Sequence, residues 1–147
     1  MSDLTELYQS VILDHNRRPR NCRAMPDANA EAEGYNPLCG DRLRVWVRLG
    51  EGNVIEDVSF EGIGCAISQA SASLMTTAVK GRTRAEALEL FSGFHDLVAG
   101  DAEATTGLGK LTVFAGVREY PSRVKCASLA WHALRSALAG ANEPEHP

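Results

Sequence analysis

Residues 42–49, RLRVWVRL, set the tightest limit on this chain's fold. Leu43, Val45, Val47 and Leu49 alternate with Arg42, Arg44, Trp46 and Arg48, a period of two that places one face of a strand in a core and the other in water. The following GEGN reads as a turn, and VIEDVSFEG supplies a second strand, so the unit is an antiparallel hairpin. A hairpin cannot bury its apolar face alone and needs helices to cover it.

The flanking sequence provides them. Leu4, Leu7, Tyr8, Val11 and Ile12 recur at helical spacing behind a capping pair, Asp3 and Glu6, and this helix must end before Pro19. Residues 29–35 carry a weak strand signal. In GIGCAISQASASLMTTAVKG, Ile67, Ala70, Leu74 and Ala78 share a helical face and Gly81 is the stop. Thr83 and Glu86 form a capping box that opens a helix with Leu88, Phe91 and Leu97 inward. GDAEATTGLG is a loop, and KLTVFAGV is short and of no clear period. Ser122 is expected to cap a last helix running to about Gly140, with Leu129, Ala130, Ala133, Leu134 and Ala137 buried, and residues 141–147 form a disordered tail. With neither repeats nor a long linker, the 147 residues make one α+β domain: a small antiparallel sheet of about three strands packed against several helices.

The net charge of −4, nineteen acids against fifteen bases, argues against a nucleic-acid binder. The acidic, amphipathic start is unlike a secretory signal, and no apolar run is long enough to span a membrane, so a cytoplasmic protein is expected. In a reducing cytoplasm the four cysteines, Cys22, Cys39, Cys65 and Cys126, read as metal ligands or reactive thiols rather than disulfides. No C-x-x-C pair occurs, which excludes a zinc ribbon or a thioredoxin motif.

Three of these cysteines fall at element starts. Cys39 is on the NPLCGDR loop that opens the first hairpin strand, Cys65 is at a helix entry behind a Gly-x-Gly turn, and Cys126 lies early in the last helix. Helix N-termini stabilise thiolates. Asp41 shares a side with Cys39 if that stretch is extended. Cys39, Asp41, Cys65 and Cys126 would make a tetrahedral site for which zinc is the default, although thiolates suit iron–sulfur chemistry equally. The bland alternative is that each cysteine is an ordinary buried core residue. Cys22 sits in a Pro- and Arg-rich loop without a neighbouring donor, and His15, His95, His132 and His146 make no local pattern for a Cys–His hydrolase.

Four stretches in order, YQSVILDHNRRPRN, NPLCGDR, GIGCAISQASASLM and YPSRVKCASLAWHAL, resemble the SufU branch of the IscU/NifU-N iron–sulfur cluster assembly proteins, from about Tyr8 to Leu134. Three departures separate the chain from IscU-type scaffolds. Lys125 stands where those carry a His before the last cysteine, YPSRVK replaces their LPPVK chaperone segment, and the interval from Cys65 to Cys126 is longer by about one helix, residues 83–99. The resemblance implies a zinc-dependent sulfurtransferase that accepts persulfide sulfur from a SufS-type cysteine desulfurase and serves downstream Suf scaffold proteins. By motif position Cys39, Asp41, Cys65 and Cys126 match the metal ligands, Cys39 matches the sulfur acceptor, and Arg123 and Lys125 are partner contacts or charge stabilisers. The alternative it carries is a scaffold that holds an iron–sulfur cluster.

Overall fold

The computed structural model describes residues 3–37, 40–99, 109–119 and 121–139. Along the chain run α1 (Asp3–Arg17), β1 (Ala30–Asn36), β2 (Asp41–Leu49), a short 3-10 turn (Glu51–Asn53), β3 (Ile55–Ile63), α2 (Ala66–Val79), α3 (Arg84–Ala99), a 3-10 segment (Gly109–Glu119) and α4 (Pro121–Leu138). The sheet is antiparallel in the order β1-β2-β3. The expected α+β architecture with three strands is the observed one.

The hairpin is β2–β3, with Val45 opposite Phe60 and Val47 opposite Val58. Leu43, Val45, Val47, Val58 and Phe60 are all fully buried, so the alternation reads out as one covered face. The weak first strand is real: β1 pairs with β2 from Ala30 opposite Val47 to Asn36 opposite Asp41. Its signal is faint because the positions turned inward are small or polar, Ala32, Gly34 and Asn36. Helix α4 lies across β1 and β2, and α2 packs between β3, α4 and α1.

Two helix expectations need correction. The buried side of α2 is broader than the Ile67, Ala70, Leu74 and Ala78 face: Ile67 and Ala78 are half-buried, while Ser68, Ser71, Ser73 and Thr76 are fully enclosed. A helix packed on three sides cannot keep a polar stripe in water, and these short hydroxyls find partners inside the protein, Thr76 donating to the Ser73 carbonyl at 2.7 Å and Ser71 to the Ala127 carbonyl of α4 at 2.6 Å. The last helix begins at Pro121, so Ser122 lies inside its first turn rather than at the cap. Proline is suited to the first helical position, where its missing N–H is not needed. The side chains of Asp3, Glu6 and Ser122, residues 100–108 and the 141–147 tail lie outside the described residues.

Thr83 and Glu86 do form the reciprocal capping box, at 2.9 and 3.2 Å. Helix α3 then closes an aromatic core, with Phe94 stacked on Trp131 at 4.9 Å and edge-on to Phe114 at 5.8 Å. The KLTVFAGV stretch is part of the 3-10 segment, where Leu111, Val113, Phe114 and Val117 are buried.

Candidate metal centre

Three of the four expected donors are described, and they meet. Asp41 is the first residue of β2 and is buried, Cys65 is the N-cap of α2 and is half-buried, and Cys126 lies fully buried in the second turn of α4. One ligating atom from each lies within 4.8 Å of the others, the one grouping of three metal-ligating side chains among the described residues.

Local backbone chemistry explains the placement. Cys65 is extended at φ −72° and ψ 172°, the usual N-cap conformation, which leaves its own N–H pointing out of the helix. Asp41 Oδ1 accepts that N–H at 3.1 Å, and Oδ2 stands 3.8 Å from Cys65 Sγ. One carboxylate thus joins the start of β2 to the start of α2 and turns its second oxygen toward the thiols. The preceding turn needs its glycines. Gly62 has φ +153°, and a side chain there would run into the Arg42 carbonyl, while one on Gly64 would strike Ser68 Oγ. Ser68 Oγ donates to the Cys65 carbonyl at 3.1 Å and closes the first turn.

Cys39 lies outside the described residues, so its membership of the set is taken up below as a proposal. Its expected place on the same side as Asp41 depends on extended backbone through residue 40. Gly40 itself is not extended: its φ is +72° and its N–H binds the Asn36 carbonyl at 2.9 Å. The period-of-two argument does not apply across it.

Arg123 is exposed, near the start of α4, and faces the thiols. Negative charge at Cys65 and Cys126, with hydrogen bonds to both, holds its guanidinium above its ordinary range. Lys125 is exposed two residues further on. Cys22 is apart from the cluster: its backbone bridges to Phe60, and burial and Glu61 push its thiol up. His15 is buried with Nδ1 at 2.7 Å from Ser73 Oγ, and His95 and His132 stand edge-on to Phe91. None of the three joins the cluster. The supporting residues that sequence reasoning missed are the α2 hydroxyls, whose one advance signal is the polar run SQASAS inside an otherwise apolar helix.

Two thiols and a carboxylate converge between a strand start and two helices in a small α+β domain, a group that could hold a metal ion; sulfur donors favour zinc or iron over magnesium or calcium. Comparison with known proteins narrows the class. The NifU-like N-terminal domain model matches residues 7–139, and the chain belongs to that family, the IscU/NifU-N iron–sulfur cluster assembly proteins. The chain is 41% identical over 139 residues to the zinc-dependent sulfurtransferase SufU of Bacillus subtilis (strain 168), covering 94% of this chain and 93% of that one. It is also 40% identical over 147 residues to the iron–sulfur cluster assembly scaffold protein IscU of Streptococcus pyogenes serotype M1, covering 99% and 91%. A crystal structure from Fervidobacterium islandicum AW-1, described as an iron–sulfur cluster assembly scaffold protein for the SUF system, superposes with a TM-score of 0.84 at 37% identity, covering 90% of this chain and 97% of that one. No helix among the described residues is long and apolar enough to cross a membrane.

Proposed function

We propose that the whole chain works as one domain, a cytoplasmic zinc-dependent sulfur acceptor of iron–sulfur cluster assembly, supplied by a SufS-type cysteine desulfurase and passing sulfur on to downstream Suf scaffold proteins. The observation that carries this reading is the meeting of Asp41, Cys65 and Cys126 within 4.8 Å. Cys39, two residues before Asp41 in the sequence, completes the donor set and is the acceptor thiol. A bound zinc would keep the thiols deprotonated at neutral pH and tie its binding free energy to folding. Three thiolates and a carboxylate around a dication leave about two excess negative charges, which Arg123 and Lys125 would offset.

The transfer step needs no outside oxidant. The Cys39 thiolate attacks the outer sulfur of the donor's cysteine persulfide, a new S–S bond forms on Cys39, and the donor's S–S bond breaks. The electron pair leaves with the donor cysteine as its thiolate, and the persulfide proton stays with the transferred sulfur or goes to solvent.

The runner-up is a cluster scaffold, favoured by the name of the Streptococcus pyogenes relative. One preparation separates them. Protein purified without oxygen from iron-replete cells should carry about one zinc and no brown chromophore. After one turnover with a cysteine desulfurase, mass spectrometry should find the added 32 Da (about one sulfur atom) on Cys39. A stoichiometric iron–sulfur chromophore without zinc would favour the scaffold. Unimpaired sulfur uptake by Cys39→Ser would sink the acceptor assignment.

A further inference from the structure

The three donors sit on three different elements, so each side of their triangle must be held by something. The Asp41–Cys65 side is held directly, by the Cys65 N–H on Asp41 Oδ1. The side from the sheet to Cys126 is held by close packing. Gly34 of β1, two residues from Asn36 opposite Asp41, lets Leu129 of α4 come so near that an added Cβ would lie 3.0 Å from its Cδ1 and 3.1 Å from its carbonyl oxygen. The Cys65–Cys126 side depends on how α2 lies against α4. There Ser71, fully buried, donates its hydroxyl to the Ala127 carbonyl at 2.6 Å. Ala127 is the residue next to Cys126.

We infer that Ser71 is a positioning residue for the metal centre: its hydroxyl fixes the register of α4 on α2, and so sets Cys126 against Cys65. This rests on the metal-site reading above. Ser71 and Ala127 are both small, so at that point the helices offer shallow ridges and grooves against sliding. A single directional bond then decides the register. The tolerance is narrow, because one residue of slip along a helix is about 1.5 Å. Sulfurs on a tetrahedral zinc, at about 2.3 Å from the ion, stand about 3.8 Å apart. The donor atoms lie within 4.8 Å of one another, so a slip of one residue is large against the spacing an ion needs. A purely structural hydroxyl would affect folding and leave affinity for the ion alone. A positioning hydroxyl changes affinity out of proportion to stability.

The test is zinc affinity, by competition with a chromophoric chelator, set beside thermal unfolding of the metal-free protein, for wild type, Ser71→Ala, Ser71→Thr and the exposed control Ser92→Ala. Ser71→Ala should bind zinc about tenfold more weakly, at the low end for residues that support a ligand shell. Ser71→Thr, which keeps the hydroxyl, should recover most of that loss, and Ser92→Ala should match wild type. Loaded with Co²⁺, Ser71→Ala should show altered thiolate-to-metal absorption bands. Wild-type affinity in Ser71→Ala, or equal losses in the Ala and Thr variants, overturns the inference. Should Ser71→Ala fail to fold, Ser71→Thr against the equally shaped Ser71→Val isolates the hydroxyl, and equal affinities there overturn it as well. A wild-type protein without zinc affinity removes the metal reading and this one together, whereas zinc-binding wild type with an indifferent Ser71→Ala removes this one alone.

Discussion

Asp41 has two jobs on two oxygens, and substitution can divide them. Oδ1 holds the Cys65 N–H at 3.1 Å at the start of α2, and Oδ2 faces the Cys65 thiol at 3.8 Å. Alanine removes both functions. In metal-free protein it deletes a hydrogen bond to a charged acceptor, worth about 1.5–3 kcal/mol, and a favourable anion at a helix start, worth about 0.3–1 kcal/mol. Relief from burying a carboxylate opposes this, Asp41 being 2% exposed, so the net loss should be about 2 kcal/mol. For a chain of this size that lowers the melting temperature by about 4–8 °C. Asparagine keeps an amide oxygen where Oδ1 stands and should cost about 1 kcal/mol or less, about 2–4 °C. Toward zinc the order changes. Both variants lose the anionic donor, and both should bind at least about tenfold more weakly, since a neutral amide lacks the Coulomb attraction to a dication. Calorimetric melting of the metal-free forms and chelator competition together give the two readouts. Equal melting of Asp41→Asn and Asp41→Ala would refute the capping role, and wild-type zinc affinity in Asp41→Asn would refute the ligand role.

Two further outcomes follow from groups away from the donors. Burial, with Arg135 and His95 adding to it, pushes the His132 imidazole down to about 4 from 6.5, so the folded protein binds fewer protons than the unfolded chain between those values. Stability is therefore complete above about pH 6.5 and falls as the pH drops toward about 4, by about 1–2 kcal/mol once solvent screening of this half-buried ring is allowed for; His132→Gln should flatten that limb in urea titrations of metal-free protein. At Gly34 a methyl group would press on Leu129, so Gly34→Ala should cost about 1–2 kcal/mol, the overpacking outweighing the entropy gained in the unfolded chain. It should also weaken zinc binding, and a variant as stable as wild type would show that α4 moves freely off β1.

What the sequence made legible follows the strength of each physical signal. The β2–β3 hairpin was plain because Leu43, Val45, Val47, Val58 and Phe60 all point into one core. The Thr83–Glu86 box was plain because its chemistry is local. Strand β1 was faint since its inward residues, Ala32, Gly34 and Asn36, are chosen for closeness to a helix and not for hydrophobicity. The buried serines of α2 lay outside the apolar face read from the sequence because no pattern within one helix reveals that its polar positions face other elements. The candidate site was legible in its residue types and in the N-cap position of Cys65. The strand alternation assumed for 39–41 is interrupted at Gly40, whose φ is +72°.

The same three donors explain why the site lies at element starts. Strand and helix interiors use up their own backbone hydrogen bonds, whereas a helix start has N–H groups to spare. Asp41 takes one of them, so a buried carboxylate is accommodated without a buried cation. For Cys126, inside α4, a charge partner is a side chain on the same helix one turn earlier, Arg123. The two compensations differ in kind. The N–H is fixed by the fold, while the Arg123 guanidinium is exposed on a long side chain and can turn away. The Asp41–Cys65 half of the centre is therefore the rigid half. The Cys126 half is the one whose charge balance a movement of the Arg123 side chain can alter without unfolding anything.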